Sequence, residues 1–329
     1  MQDYSEKDKI EEYPLKNSNA KIKRLIKFYL MPGWRNPEFS AREYQIEKLK
    51  SKRRVFRRLI TPLTLVGFFL VLIVVFIAVY APGLTELTLA NVTPPLYPGE
   101  PAFQPPSPEH PLGTTQFGWD ILGRLIWGTR TTIQAAVFPV AISIGGGVFI
   151  GTISAYFGGR VDFIIMRICD IFLSLPMLII VLVIAPLVGK DLYTTLLIYG
   201  ILFIPFNIRF MRSLVLQVKQ NDYVRAAISS GATKFRVMFK HIFPNAISPI
   251  IISFFGAMGV TVIGLAGLAF IGLGDPDVAN WGADIMYARG HFETPGAALW
   301  PGFLIGITAI GFILIGDGLR DALDPRLHI

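Results

Sequence analysis

The sequence has 329 residues, of which 52% are hydrophobic and only 16% are charged, and its mean hydropathy is +0.52. Soluble domains contain roughly a quarter charged residues, so this composition excludes an ordinary water-facing globular protein. The formal charge is +8, and the basic residues cluster before the first apolar run and between later ones. That distribution is typical of membrane topology and leaves no soluble domain to bind nucleic acid. The single cysteine, Cys169, excludes a disulfide framework.

The N-terminal 58 residues are polar and strongly basic. Ile22, Leu25 and Ile26 recur at helical spacing among lysines and arginines, which predicts an amphipathic helix on an anionic membrane lipid surface. A solvated helix or tail is the alternative. The uncharged run 59–81 follows and is long enough to cross roughly 30 Å of hydrocarbon. Because this run starts near residue 60, it is predicted to be a retained anchor rather than a cleaved signal.

Residues 82–131 are predicted to form an extracytoplasmic segment. Its first part is rich in proline, which favours an extended loop. From Gly118 to Arg130 the apolar residues recur on one side, which predicts a short interfacial helix before the next span.

Five more apolar runs give six predicted transmembrane helices and an all-α polytopic fold. The later runs are 132–157, 162–188, 192–216, 246–273 and 299–316, and they make a five-helix core from 132 to 316. A basic loop at 217–245 and a polar one at 274–298 separate the last three runs, and residues 317–329 are predicted to be a cytoplasmic tail.

The distribution of lysine and arginine predicts the orientation. With residues 1–58 left aside, 11 basic residues fall on the N-terminal side of the membrane and 4 on the other. Because cytoplasmic segments carry the excess of basic residues, both termini are predicted to be cytoplasmic in a multi-pass protein of the cell membrane.

The apolar runs are rich in glycine and proline but poor in charge. Small residues allow close helix packing, and prolines interrupt backbone hydrogen bonds, so such spans suit a transporter that rearranges. Arg167 and Asp170 stand three apart near the inner end of the third run, so they are predicted to form a structural ion pair on one helix face. No ionisable group is predicted near the middle of the membrane, which indicates that the driving energy enters elsewhere.

The loop at 217–245 has the most informative pattern. It is predicted to form two short helices with a break at Gly231, an N-cap at Thr233 and a helix end at Pro244. Small residues (Ala226, Ala227 and Gly231) and apolar ones (Phe235, Met238 and Phe239) would suit a docking surface. Spacing alone equally allows a simple cytoplasmic linker.

At these residues the sequence resembles the EAA loop of ABC importer permeases, through the alanine pair, the glycine four residues beyond Ala227, and Ile242 and Pro244. In that family the loop is the coupling helix that inserts into a groove of the cytoplasmic ATPase. Arg225 stands where the family has glutamate and Phe243 where it has leucine. The resemblance implies an ATPase-docking loop formed by Tyr223, Arg225, Ala226, Ala227, Gly231, Ala232, Thr233, Phe235, Arg236 and Phe239.

Other motifs extend the resemblance over about residues 59–329, to the second permease subunit of dipeptide and oligopeptide importers. They lie at residues 110–114, 118–125, 156–162, 270–274, 281–282 and 316–326. Residues 115–119 depart from the acidic and arginine residues that are frequent there in the family. The resemblance implies the type I importer permease fold.

The family also implies an assembly. This subunit would pair with a homologous permease, two cytoplasmic ATPase subunits and an extracytoplasmic solute-binding protein. The chain contains no Gly-x-x-x-x-Gly-Lys-Ser/Thr loop for nucleotide phosphates, so the partner subunits would bind ATP and Mg²⁺ and hydrolyse the nucleotide. We therefore expect no cofactor, metal or catalytic residue in this chain, including its four histidines.

The alternatives concern mechanism and cargo. An ion-coupled secondary carrier would transport without ATP, and a membrane receptor or scaffold would transport nothing. Peptides are the cargo that the resemblance favours, while oligosaccharide and nickel importers have closely similar permeases.

Overall fold

The computed structural model describes residues 61–89, 92–93, 102–189, 191–291 and 294–323. The predicted basic extension, 1–58, lies outside them. In the described ranges the elements are helices, and ten are named here. They are α1 (Pro62–Leu84), α2 (Ile121–Phe157), α3 (Gly159–Leu173), α4 (Met177–Val188), α5 (Leu192–Leu202), α6 (Ile204–Lys219), α7 (Asp222–Ser229), α8 (Lys234–Leu273), α9 (Trp281–Ala288) and α10 (Gly296–Leu323).

Within the described residues, five helical segments are long and apolar enough to cross a membrane: α1, α2, α5 with α6, α8 and α10. The pair α3–α4 passes the same test but is bent by 82° between its halves. Counting that pair as one broken span gives the six spans that the apolar runs predict.

Several predicted boundaries are wrong because local signals moved the helix ends. The first span begins at Pro62 rather than at residue 59, since the Thr61 side chain accepts a hydrogen bond from the Thr64 amide at 3.2 Å and caps the helix. It continues past Pro82 to Leu84. The predicted tail, from 317, instead continues the last helix to Leu323, and residues 324–329 lie outside the described ranges.

The predicted interfacial helix before the second span is also wrong. Residues 121–157 form one continuous helix, whose N-terminus is capped by Asp120 through a 2.6 Å hydrogen bond from the Gly123 amide. Ile121 and Leu125 are buried against Trp281 rather than facing a membrane surface. The amphipathic pattern therefore reflects packing inside the protein.

Close backbone contact between α2 and α6 forms the centre of the bundle. Gly147 and Gly151 lie one turn apart on α2, and a Cβ atom added at Gly151 would stand 2.7 Å from the carbonyl oxygen of Ile208. Small residues at such positions let two helices approach in lipid, where no hydrophobic force drives them together. Helix α8 packs along α10 in a similar way, with a Cβ at Gly259 coming 2.6 Å from the Ala309 carbonyl oxygen.

One buried cluster joins the spans to the segment that follows α6. It contains Met211 and Val215 of α6, Val224 of α7, and Val237 and Ile242 of α8. By contrast, α1 exposes most of its large apolar side chains, as expected for a helix that faces lipid.

Candidate functional site: the segment between the fourth and fifth spans

Helix α7 has an inward and an outward face. Val224 is completely buried, and Ala227 packs against the same cluster, so these two residues fix the helix to the bundle. Tyr223, Arg225 and Ala226 are exposed on the other side. Of the predicted alanine pair, only Ala226 is therefore presented outward, because Ala227 belongs to the chain's own core.

Gly231 forms a sharp corner after α7, as the sequence predicts. Its φ angle is +79°, a conformation that favours glycine. The Gly231 amide donates to the Ile228 carbonyl at 3.0 Å, and the Ala232 amide donates to the Ala227 carbonyl at 3.1 Å. These two bonds make a Schellman motif, which satisfies carbonyls at the end of the helix. The corner is a defined structure rather than a flexible link.

Thr233 begins the next helix, as predicted, and its hydroxyl accepts a hydrogen bond from the Arg236 amide at 3.4 Å. Phe235 and Phe239 are 64% and 54% exposed, so they extend the outward surface. Arg236 is also exposed, whereas Ala232 is half-buried.

Two predictions for the second helix are wrong. Met238 is 3% exposed and packs in the chain's own core, so it is not a docking residue. Pro244 does not end the helix, which continues past it to Leu268 and then through a π-helical turn to Leu273. A π-helical segment, Val237–Ile242, precedes the proline, and Pro244 falls in the first turn of the α-helix that follows, where its missing N–H is tolerated.

The outward surface is held rigidly to the spans. Val224 and Val237 share their buried cluster with Met211 and Val215 of α6. The Lys219 ammonium, at the end of α6, donates to the Tyr156 carbonyl at 2.9 Å and so ties α6 to the end of α2. A force applied to Tyr223 or Phe239 would therefore be transmitted to the bundle.

The predicted ion pair between Arg167 and Asp170 forms, with Nη1 and Oδ2 3.6 Å apart. Asp170 has a second partner that the sequence does not predict, because Arg209 of α6 makes a shorter contact with its other carboxylate oxygen. A parallel link joins Arg212 of α6 to Asp162 of α3 at 2.6 Å. Both arginines connect α3 to α6, and their separation in sequence from the aspartates left no local signal.

The expectation that no ionisable group lies near the middle of the membrane stays a prediction. Arg209 lies ten residues from the end of the Leu192–Lys219 span, a distance of about 15 Å along a helix. Asp170, which it contacts, lies only four residues before the break between α3 and α4.

On the opposite side of the bundle, α9 is clamped to the start of α2. Nε of Arg124 is 2.6 Å from Oδ1 of Asp284, and the two side chains are 2% and 4% exposed. Burial raises the pKa of the Asp284 carboxyl, and the Arg124 guanidinium opposes that shift. The Trp281 indole donates to the Leu125 carbonyl at 3.1 Å and lies against Gly128. The resemblance marked Trp281, but nothing in the sequence indicated the ion pair.

Among the residues that the structure describes, no group of three or more His, Cys, Asp and Glu side chains could hold a metal ion. Cys169 is buried in α3. The architecture is a bundle of candidate spans with a rigid, exposed two-helix corner at one end, which defines a polytopic membrane protein.

Comparison with known proteins identifies the family. Residues 147–329 match the model of the binding-protein-dependent transport system inner membrane component. The chain is 33% identical to the Dipeptide transport system permease protein DppC of Alkalihalophilus pseudofirmus, over 88% of this chain and 95% of the relative. It is 35% identical to the Probable D,D-dipeptide transport system permease protein DdpC of Escherichia coli, over 81% and 88%. It is 36% identical to the Glutathione transport system permease protein GsiD of Pectobacterium atrosepticum, over 68% and 74%.

The chain belongs to this family of inner membrane transport components. That membership confirms the resemblance, and with the helical bundle it confirms the predicted all-α permease fold. The matched region includes the whole segment from α7 into α8.

Proposed function

We propose that this chain is a permease subunit of an ATP-driven importer of peptides, and that its α7–Gly231–α8 corner docks onto the ATPase. Val224 and Val237 carry this proposal, because their burial in the same cluster as Met211 makes the corner a rigid lever on the spans. The exposed Tyr223, Ala226 and Phe239 provide the surface for the partner.

The peptide cargo is supported by the relatives, which are named for dipeptide and glutathione transport. The assembly would contain a homologous permease, two cytoplasmic ATPase subunits and an extracytoplasmic solute-binding protein. ATP and Mg²⁺ would be bound and used by the ATPase subunits, so this chain would contribute no catalytic residue. Its termini and the α7–α8 corner would face the cytoplasm, in line with the basic residues of that side.

In this mechanism, nucleotide binding draws the two ATPase subunits together and moves the corner with them. The Schellman motif at Gly231 keeps α7 and α8 at a fixed angle, so the displacement reaches the buried cluster rather than being lost in a loop. The spans then alternate between outward and inward access, and the close α2–α6 and α8–α10 contacts make each pair move as a unit.

Reconstitution into vesicles tests the proposal. We expect uptake of a labelled peptide from the binding protein when ATP and both ATPase subunits are present, and none when either is omitted. Uptake driven by an ion gradient without ATP would overturn the proposal in favour of a secondary carrier. This outcome has to be tested because the contact between Arg209 and Asp170 joins two candidate spans, and ion-coupled carriers have ionisable groups within their spans.

A further inference from the structure

Three charged side chains form a group beside the broken span. Arg167 and Asp170 belong to α3, and Arg209 belongs to α6. Both arginines contact Asp170, which leaves the group with one positive charge in excess. The side chains of Arg167, Asp170 and Arg209 are 67%, 44% and 46% exposed, so they point away from the chain's own core.

Lipid is an unfavourable environment for these three charged side chains. A charged side chain at the centre of a membrane helix is costly, and such groups usually face a bundle interior or a water-filled cavity. Arg209 lies within the Leu192–Lys219 candidate span, ten residues or about 15 Å before its end.

The backbone next to the group leads to the same conclusion. Helix α3 ends at Leu173 and α4 begins at Met177, with a bend of 82° between them. In the described part of the chain the Leu175 amide donates no backbone hydrogen bond, and Pro176 has no N–H to donate. Leu175 is itself 58% exposed. Irregular backbone at membrane depth is tolerated only where it is buried in protein or lines a water-filled cavity.

We infer that the Leu173–Met177 break, together with Arg167, Asp170 and Arg209, lines the aqueous solute path, and that the excess guanidinium attracts a carboxylate of the cargo. The inference rests on the proposed transport function and adds a place and a charge preference to it. Arg209 makes a close contact with Asp170, so its guanidinium is already paired with a carboxylate of this chain. Arg167 has only a 3.6 Å contact there and lies over the Phe163 ring at 5.0 Å.

Arg167 is therefore the group available to the cargo. A guanidinium offers five donors in a planar fork that matches a carboxylate, and stacking on an aromatic ring leaves the edge donors free. A peptide has a terminal carboxylate, so a path with one surplus arginine suits it better than a neutral solute.

Thiol accessibility in the assembled transporter tests this inference without knowledge of the natural cargo. Cys169 is first replaced by alanine, and Leu175→Cys is then introduced. Two membrane-impermeant methanethiosulfonate reagents are applied, one carrying a sulfonate and one a trimethylammonium group. We expect both to react at position 175 and the anionic reagent to be favoured. Leu72→Cys on α1, which is 63% exposed on a lipid-facing helix, should not react.

The charge preference is assigned to Arg167 by substitution. Arg167→Ala should lower the anionic-to-cationic rate ratio at position 175 by a factor of about three, as expected for one charge about 12 Å away in water. Arg167→Lys should keep the ratio, and Arg160→Ala, which removes an exposed arginine at the far end of α3, should leave it unchanged.

Two results would overturn the inference. One is a Leu175→Cys thiol that is as unreactive as the thiol introduced at position 72, which would place the break against protein. The other is a ratio that Arg167→Ala does not alter. Either result can occur while ATP-driven uptake remains intact, so a failure of this inference is distinguishable from a failure of the proposed function.

Discussion

Arg124 and Asp284 bind each other across 160 residues of sequence, and both are buried where α9 meets the start of α2. A buried ion pair that loses one partner leaves an uncompensated charge, which costs about 3 to 5 kcal/mol. We therefore expect Asp284→Ala to lower the free energy of unfolding by about that amount. The midpoint of thermal unfolding of the purified protein measures the effect, and Asp277→Ala, at an exposed acid of the preceding loop, is the control.

A double replacement separates loss of charge balance from loss of packing. Arg124→Met combined with Asp284→Leu should recover much of the stability, because a hydrophobic pair of similar volume avoids desolvating two charges. If Asp284→Ala alone unfolds at the wild-type temperature, the clamp does not stabilise the protein.

The contact between α2 and α6 predicts opposite effects for two glycines two residues apart. A Cβ at Gly147 would stand 2.8 Å from the backbone carbonyl carbon of Asn207, whereas a Cβ at Gly145 meets nothing within 4 Å. Gly147→Ala should destabilise the protein by about 1 to 3 kcal/mol through overpacking. Gly145→Ala should be neutral or stabilising by up to about 1 kcal/mol, since alanine favours a helix. Thermal unfolding in one detergent compares them, and equal shifts would contradict the observed packing.

Local chemistry was enough to predict the helices and the corner between the fourth and fifth spans. Five of the six apolar runs exceed the roughly 20 residues that cross a bilayer, and the last, 299–316, is close to that length, so their existence follows from composition. Gly231 and Thr233 act within a few residues of chain, through a positive φ and a side-chain cap, and both were predicted correctly. Such signals require no knowledge of what lies elsewhere in the fold.

The interactions that could not be predicted are long-range. Asp170 has a local partner at Arg167, which the i,i+3 spacing reveals, but its closer partner is Arg209 on another helix.

The helix ends predicted at Pro82 and Pro244 are wrong for a related reason. A proline ends a helix only when the lost hydrogen bond and the ring clash are not accommodated, and Pro244 follows a π-helical segment whose residues Val237 and Ile242 are buried against other helices.

Two neighbouring side chains of α8, one exposed and one buried, allow the effect of a substitution on docking to be distinguished from its effect on folding. Phe239 is 54% exposed, so Phe239→Ala should leave thermal stability unchanged but weaken ATPase association by about 10- to 30-fold, as for an aromatic residue at the centre of an interface. Met238 is 3% exposed in the core, so Met238→Ala should cost about 2 to 5 kcal/mol of stability. Co-purification with the ATPase and thermal unfolding are measured on both variants.

The proposed docking surface predicts that Phe239→Ala weakens ATPase association without lowering stability, whereas Met238→Ala lowers stability. A Phe239→Ala variant that retains full ATPase association, while folding normally, would move the docking surface away from this turn of α8.

Substitution of Gly231 tests directly whether the corner between α7 and α8 transmits the movement of the ATPase to the spans. Its φ of +79° is strained for a residue with a Cβ, yet the added atom would meet nothing within 4 Å, so Gly231→Ala acts through the backbone alone. We expect a conformational cost of about 1 to 2 kcal/mol at the corner, a changed angle between α7 and α8, and reduced transport per ATP hydrolysed. Gly231→Asn should be milder, because asparagine tolerates the left-handed region.

Gly290 provides the matched control, since its φ is +88° and its Cβ position is equally open, but it lies after α9 rather than in the corner. Gly290→Ala should carry the same backbone cost without altering the ratio of transported solute to hydrolysed ATP. That ratio is measured in reconstituted vesicles for both variants. Equal losses for both would attribute the effect to general destabilisation, whereas a loss confined to Gly231→Ala is expected only if the angle between α7 and α8 carries the movement of the ATPase to the spans.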